Sequence, residues 1–173
     1  MTLILGIDPG LNTTGYGVID CAGGKLRLIE AGIVRTRAKA PMESRLAELH
    51  AGVSEVLQAH RPERMAIEQL FSHYERVRTA ILMGHARGVI CLAAAQAGIG
   101  VTNYEPTRIK KTLTGNGRAA KPQMQLAVKL QLGLSETPEP HDVADALAIA
   151  ICSFHLERSP AGTSLSTPSR TIR

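Results

Sequence analysis

Tryptophan is absent from this chain of 173 residues, and aromatic residues amount to 3%, two Phe and three Tyr. The three cysteines, Cys21, Cys91 and Cys152, lie far apart, are odd in number and form no Cys-x-x-Cys pair. That excludes a disulfide framework and a zinc knuckle, and it predicts free thiols in a reducing compartment. No stretch reaches the ~18 consecutive apolar residues of a membrane span. The N-terminus shows neither a basic flank before a hydrophobic run nor a small-residue cleavage site, so no secretory signal is expected. These absences together predict a soluble, cytoplasmic protein whose length suits one domain.

Acidic residues are also missing where they would matter most. From Glu105 to Glu136 there is none, whereas Arg108, Lys110, Lys111, Arg118, Lys121 and Lys129 all fall in that interval. The six exceed the formal net charge of +5 for the whole protein. A solvated helical face could carry such a bias by accident. A surface that contacts phosphate backbones explains it better.

Hydrophobic patterning predicts a mixed α/β sheet. Leu3–Asp8 is an almost continuous apolar run without alternation, the composition of a strand buried on both faces. Tyr16–Asp20 and Lys25–Val34 follow, separated by Gly23-Gly24, where glycine permits the positive φ of a tight turn. Beyond Pro41, the residues Leu46, Leu49, Val53, Val56 and Leu57 recur at helical spacing until His60-Arg61-Pro62. Met65–Glu68 reads as a short buried strand. A long helix is expected from Glu75 to Ala97, then a fifth strand over Val101–Tyr104. Helices over Thr107–Leu113, Pro122–Leu132 and His141–Leu156 complete the pattern. The first three strands should be antiparallel, with the later ones parallel to the first and helices on both faces. After Arg158 the composition turns to Ser, Thr, Pro and Arg, which predicts a disordered tail over 158–173 behind a folded unit of 1–157.

Two core strands end on a carboxylate, Asp8 and Glu68. An unpaired buried charge costs several kcal/mol, so each needs solvent or a cation. The chain has four aspartates in all, and two of them, Asp142 and Asp145, share the first turn of the last helix. Three residues of helix place them about 60° apart, and roughly 150° from the stripe Val143, Leu147, Ala150 and Phe154. Alone, the pair suits a helix N-terminus by charge–dipole attraction, worth ~0.3–1 kcal/mol. Together with Asp8 and Glu68 it forms a possible set of four oxygen ligands. Such a set suits hard divalent cations, Mg2+ or Mn2+, and two of these form the clamp used in phosphodiester cleavage. His141 adjoins Asp142 but faces about 100° away.

At this point a resemblance enters. Gly6-Ile7-Asp8-Pro9-Gly10 with Thr14-Gly15-Tyr16-Gly17, Ala66-Ile67-Glu68-Gln69-Leu70-Phe71, Ala86-Arg87-Gly88-Val89 and Asp142-Val143-Ala144-Asp145-Ala146-Leu147-Ala148 resemble the RuvC family of bacterial Holliday junction resolvases. The motifs stand in order from Met1 to about Phe154. The resemblance implies an RNase H-like fold and a homodimer that nicks two symmetric strands of a four-way DNA junction. Its products would carry 5′-phosphate and 3′-hydroxyl ends, and the branch-migration proteins RuvA and RuvB would be partners. It further implies that Asp8, Glu68, Asp142 and Asp145 are catalytic metal ligands for two Mg2+ or Mn2+ ions, and that Phe71 stacks on unpaired bases. Lys110 and Lys121 would lie near the scissile phosphate, Lys121 with a catalytic role. Arg76, Arg78, Lys111 and Arg118 are further candidate DNA contacts. The small-residue stripe Ala80, Gly84 and Gly88 could serve packing on the sheet, or the contact between protomers that the resemblance implies.

Two other readings compete. Asp8-Pro9-Gly10 with Thr13-Thr14-Gly15 also resembles the phosphate loop of actin-like ATPases and sugar kinases. Those need a second glycine-rich phosphate loop, which is missing, and they leave Glu68, Asp142 and Asp145 idle. A junction-binding protein without catalysis would gain nothing from four acids, which repel DNA phosphates.

Overall fold

The computed structural model describes residues 1–70 and 77–158. Five strands form one sheet in the order β3-β2-β1-β4-β5. They are β1 (Leu3–Asp8), β2 (Thr13–Asp20), β3 (Arg27–Arg35), β4 (Arg64–Glu68) and β5 (Gly100–Tyr104). β1, β2 and β3 are antiparallel neighbours, while β4 and β5 run parallel to β1. The expected mixed sheet is therefore present. Gly23 and Gly24 adopt φ of 67° and 79° in the short turn between β2 and β3, a region that costs side-chain-bearing residues energy.

Two aliphatic cores flank the sheet. On one face, Leu5, Ile7, Val18, Met65 and Ile67 pack with α1 (Met42–His60) and α2 (Val77–Gln96). On the other, Ile4, Ile19 and Ala66 pack with α3 (Pro106–Thr114), α4 (Lys121–Leu132) and α5 (His141–Arg158). The split follows strand periodicity, because successive side chains of β1 point to opposite faces. Asp8 shares its face with Ile4, and Glu68 shares its face with Ala66. Both acids therefore stand on the side of α5.

The final helix differs from the expected one in two respects. It continues through Arg158, whose guanidinium lies 5.2 Å from the ring centre of Phe154, so the folded unit passes the expected boundary at 157. It also has no single apolar stripe: from Ala146 to Phe154 every residue is buried. A stripe is expected of a helix that covers one core, but α5 lies between the sheet and the layer of α3 and α4, so both of its sides face apolar neighbours. Its far end is tied down by Tyr104, whose hydroxyl donates to Ser153 Oγ at 3.3 Å, and by the Arg64–Glu157 ion pair at 2.6 Å. The remaining tail, 159–173, lies outside the described residues.

Two glycines decide how closely α5 approaches. A Cβ built on Gly6 would stand 2.1 Å from the Ala146 carbonyl oxygen, and one on Gly15 would stand 2.0 Å from the Asp142 carbonyl oxygen. No real side chain fits at those distances, so the helix backbone rests directly on the strand backbones. This contact fixes the start of α5 over the end of β1.

Helix α2 is long and apolar enough to cross a membrane by length and composition alone. It carries Arg78 and Arg87, packs along α1, and leaves Val77, Ile81 and Leu92 about half exposed at 51%, 55% and 51%. Among the described residues nothing approaches a Cβ position within 4 Å at Gly84 or Gly88. Packing of the described residues therefore leaves the stripe open.

Candidate active site

The site is assembled at the carboxyl ends of two neighbouring parallel strands. Ile7 pairs with Ile67, so Asp8 and Glu68 occupy the next step of each strand, side by side and on one face. Asp8 also pairs with Gly15 of β2, and Gly15 is the residue on which the Asp142 backbone rests. Asp145 follows one helical turn later. The four acids thus converge from three elements, β1, β4 and α5, as the sequence leads one to expect.

Their electrostatics reflect that convergence. Burial, then the negative charges of Asp145, Glu68 and Asp142, push the Asp8 carboxyl up from 3.8 to about 8, with Lys121 opposing. Burial and then Asp145 raise Glu68, against the pull of Lys110. Asp145 is raised chiefly by burial, while Lys121, His141 and Lys110 pull it back. Desolvation and like charge both disfavour the ionised form. A site that must be ionised to work at neutral pH needs additional positive charge.

The acids do not form a closed cage. Among the described residues no group of three or more His, Cys, Asp or Glu is close enough to hold a metal ion as it stands. Mutual repulsion keeps carboxylates apart until a cation balances them. The donor set still fits a hard divalent ion. It offers carboxylate oxygens from Asp8, Glu68, Asp142 and Asp145 without a thiolate, and its charge excess is of the right sign. His141 lies 3.5 Å from Asp142 through Nε2 and Oδ1.

The turn after Asp8 is rigid. The Thr14 hydroxyl donates to the Gly10 carbonyl at 2.6 Å, and the Gly10 N–H donates back to that hydroxyl at 3.2 Å. The Thr36 hydroxyl donates to the Leu11 carbonyl at 2.5 Å, and the Arg45 guanidinium donates to the Asn12 side chain. Thr14 is fully buried. A locked turn holds the Asp8 carboxylate in one place, which a catalytic group requires.

The basic interval divides in the structure. Lys110 on α3 and Lys121 at the start of α4 both act on the acids. The connection between them is tied by its own polar groups. Thr114 Oγ1 donates to the Lys110 carbonyl at 2.8 Å, the Arg118 N–H donates to Asn116 Oδ1 at 2.9 Å, and the Ala120 N–H donates to Gln123 Oε1 at 2.9 Å. Lys111 and Arg118 are exposed; Lys111 lines a separate cavity with Arg108, Thr107 and Thr112. Arg78 is exposed on the first turn of α2. Phe71 and Arg76 lie outside the described residues.

Two contributors are not singled out by sequence reasoning. Gly15 is legible only in retrospect, as one of the glycines Gly6, Gly15 and Gly17 that alternate on one face of two paired strands. Arg87 stands in the motif Ala86-Arg87-Gly88-Val89, but the sequence assigns it no role. Its guanidinium Nε donates to the Glu68 carbonyl at 3.3 Å and its Nη2 donates to Asn103 Oδ1.

Similarity to known proteins agrees with this geometry. A family model described as crossover junction endodeoxyribonuclease RuvC matches residues 4–153. A crossover junction endodeoxyribonuclease RuvC from Rhodopirellula baltica is 61% identical over 162 residues, 94% of this chain and 91% of the relative. Another from Pelotomaculum thermopropionicum is 47% identical and covers 88% of this chain and 93% of its own length. The structure of T. thermophilus RuvC in complex with Holliday junction substrate superposes with a TM-score of 0.86 at 39% identity, covering 91% of this chain and 96% of that one. A yeast mitochondrial Holliday junction resolvase shares the fold at 13% identity, with a TM-score of 0.65, 88% of this chain and 77% of its own covered. With four acids gathered at the strand ends and a family match across nearly the whole folded unit, the chain belongs to the RuvC family of crossover junction endodeoxyribonucleases.

Proposed function

We propose that this protein resolves Holliday junctions by paired, symmetric nicks, in homologous recombination and DNA repair. The observation that carries the reading is the convergence of Asp8, Glu68, Asp142 and Asp145 in a chain matched to RuvC along residues 4–153. Asp8, Glu68, Asp142 and Asp145 would hold two Mg2+ or Mn2+ ions. When bound, the pair supplies an activated water and charge neutralisation at the leaving oxygen, which yields 5′-phosphate and 3′-hydroxyl ends.

The remaining steps belong to the protein's own groups. β1 and β4 present their carboxylates from the ends of strands paired within one sheet, which limits the reorganisation needed during reaction. Lys121 and Lys110 stand beside the acids and stabilise negative charge that develops on the phosphate. Lys111, Arg118, Arg76 and Arg78 extend the positive surface along the DNA backbone, and Phe71 stacks on bases unpaired at the crossover. The open stripe of α2 pairs with a second copy, which gives two sites for two strands. An exposed apolar helix face of this kind is the usual sign of a protein interface. RuvA and RuvB are the expected partners by family resemblance, and the cytoplasm, where bacterial DNA lies, is the expected compartment.

The test is cleavage of a four-way junction against a linear duplex of the same sequence, with Mg2+ and with Mn2+. The junction should be cut and the duplex spared, and Asp8→Asn should bind the junction without cutting it. Equal cutting of both substrates would reduce the protein to a general nuclease.

A further inference from the structure

Arg87 lies on α2 between Gly84 and Gly88, yet its side chain leaves the open stripe and reaches the sheet. It meets two adjacent strands at positions one register step apart. Its Nε donates to the backbone carbonyl of Glu68 at 3.3 Å, the last residue of β4, and its Nη2 donates to Asn103 Oδ1 on β5. Asn103 is the partner of Ile67 in the ladder, so the guanidinium spans the end of the β4–β5 pair where Glu68 emerges. Beyond it, the Gln69 N–H donates to the Tyr104 carbonyl at 2.8 Å. Glu68 therefore sits at the end of its strand, where the ladder with β5 closes. The cavity beside it, about 500 Å³, is lined by Gln69, Leu70, Gly84, Arg87, Gly88 and Asn103, so Arg87 is its cationic wall.

We infer that Arg87 is a positioning residue: with Asn103 it fixes the main chain under Glu68 and so sets where that carboxylate meets a divalent cation. Lys110 and Lys121 are the cations that oppose the raised carboxyls of Glu68 and Asp145, whereas the bonds of Arg87 go to a backbone carbonyl and a side-chain amide. A planar guanidinium can bond to two acceptors at once, which a lysine ammonium on a flexible stem does less well. The inference rests on the assignment of Glu68 as a metal ligand.

The experiment uses the full chain without DNA, at a concentration where variants and parent sediment alike. Mn2+ affinity is measured by calorimetry, followed by kcat and metal-free junction affinity. Arg87→Met should weaken Mn2+ binding and lower kcat about 10-fold or more, the scale at which groups behind a metal ligand act. Junction affinity should stay within about two-fold, because a residue that acts only by orienting a metal ligand adds no phosphate contact of its own. Arg87→Lys should recover part of the loss. Unchanged Mn2+ affinity in Arg87→Met, whether or not junction binding falls, overturns the inference. Should Arg87→Met fail to fold, Asn103→Ala on the exposed side of β5 decides: a smaller loss of Mn2+ affinity supports the inference and no loss overturns it. Glu68→Gln is measured alongside. If Glu68→Gln leaves Mn2+ affinity intact, the assignment of Glu68 has failed; if only Glu68→Gln weakens it, the positioning role of Arg87 has failed. In the double variant the two losses should not add, because one acts through the other.

Discussion

Replacing Asp8 by Asn should make the metal-free protein more stable while abolishing its activity. In the fold the carboxyl is raised from 3.8 to about 8 by burial and by three acidic neighbours. Between those values the folded state keeps a proton that the unfolded chain has already released. The favourable contribution is thus complete below pH ~4 and is lost as pH rises through about 8. At ~1.4 kcal/mol for each pH unit, the full penalty of ionised Asp8 is on the order of 5 kcal/mol. Solvent at the strand end and relaxation of the other acids offset part of it, so Asp8→Asn should gain about 2–4 kcal/mol at pH 8. In a domain of this size that raises Tm by about 5–15 °C. The measurement is urea unfolding of both proteins at pH 5, 7 and 9, with and without Mn2+. Taking the difference between the two removes groups common to both, such as Asp20 and Glu48, whose carboxyls are held low by hydrogen bonds. The gap should widen from pH 5 to pH 9, and Mn2+ should narrow it by stabilising only the parent strongly. A variant no more stable than the parent at pH 8, or a gap independent of pH, would refute the argument.

Gly15→Ala should displace the start of α5, because its Cβ falls 2.0 Å from the Asp142 carbonyl oxygen; a stability loss of about 1–3 kcal/mol and at least 10-fold slower cleavage are expected, and parental kcat would disprove the contact. Lys121→Ala should lower kcat by about 100-fold with little change in junction affinity, on the scale of one lost transition-state stabiliser, and stopped-time cleavage of a labelled junction checks it. Ile81→Glu places a charge on the open stripe of α2 and should yield a monomer by sedimentation with a normal fold by circular dichroism; a dimer that survives would move the interface elsewhere. Cleavage should fall as pH drops from 8 toward 6, because protons compete with cations for the raised carboxyls of Asp8, Glu68 and Asp145, and higher Mn2+ should shift that fall to lower pH.

The element order and the sheet were legible in the chain because each strand and helix is written in local signals. β1 and β4 are short aliphatic runs that end on an acid, Gly23-Gly24 marks the hairpin, and the prolines and Gly98 bound the helices. The identity of the four acids was legible as well, since aspartate is rare here and two core strands and one helix start account for the set. Motifs in order along the chain pointed to the family that the comparisons bear out. What the chain did not disclose is how those elements meet. Periodicity treats α5 as a helix with one buried stripe, whereas the layer of α3 and α4 buries its other side too. The close seat of α5 on Gly6 and Gly15 depends on two backbones meeting from positions more than a hundred residues apart. Arg87 stands in a family-like motif, but its role is not legible there, because its bonds to Glu68 and Asn103 exist only once α2 lies across the ends of β4 and β5. That Lys110 and Lys121 come to face the acids, while Lys111 and Arg118 are exposed, is likewise set by the path of α3 and α4. Sequence determined which groups are candidates for the chemistry, because residue type and strand or helix position are local properties. Tertiary structure alone decided their burial and charge coupling, because those depend on which distant segments exclude water from the same point.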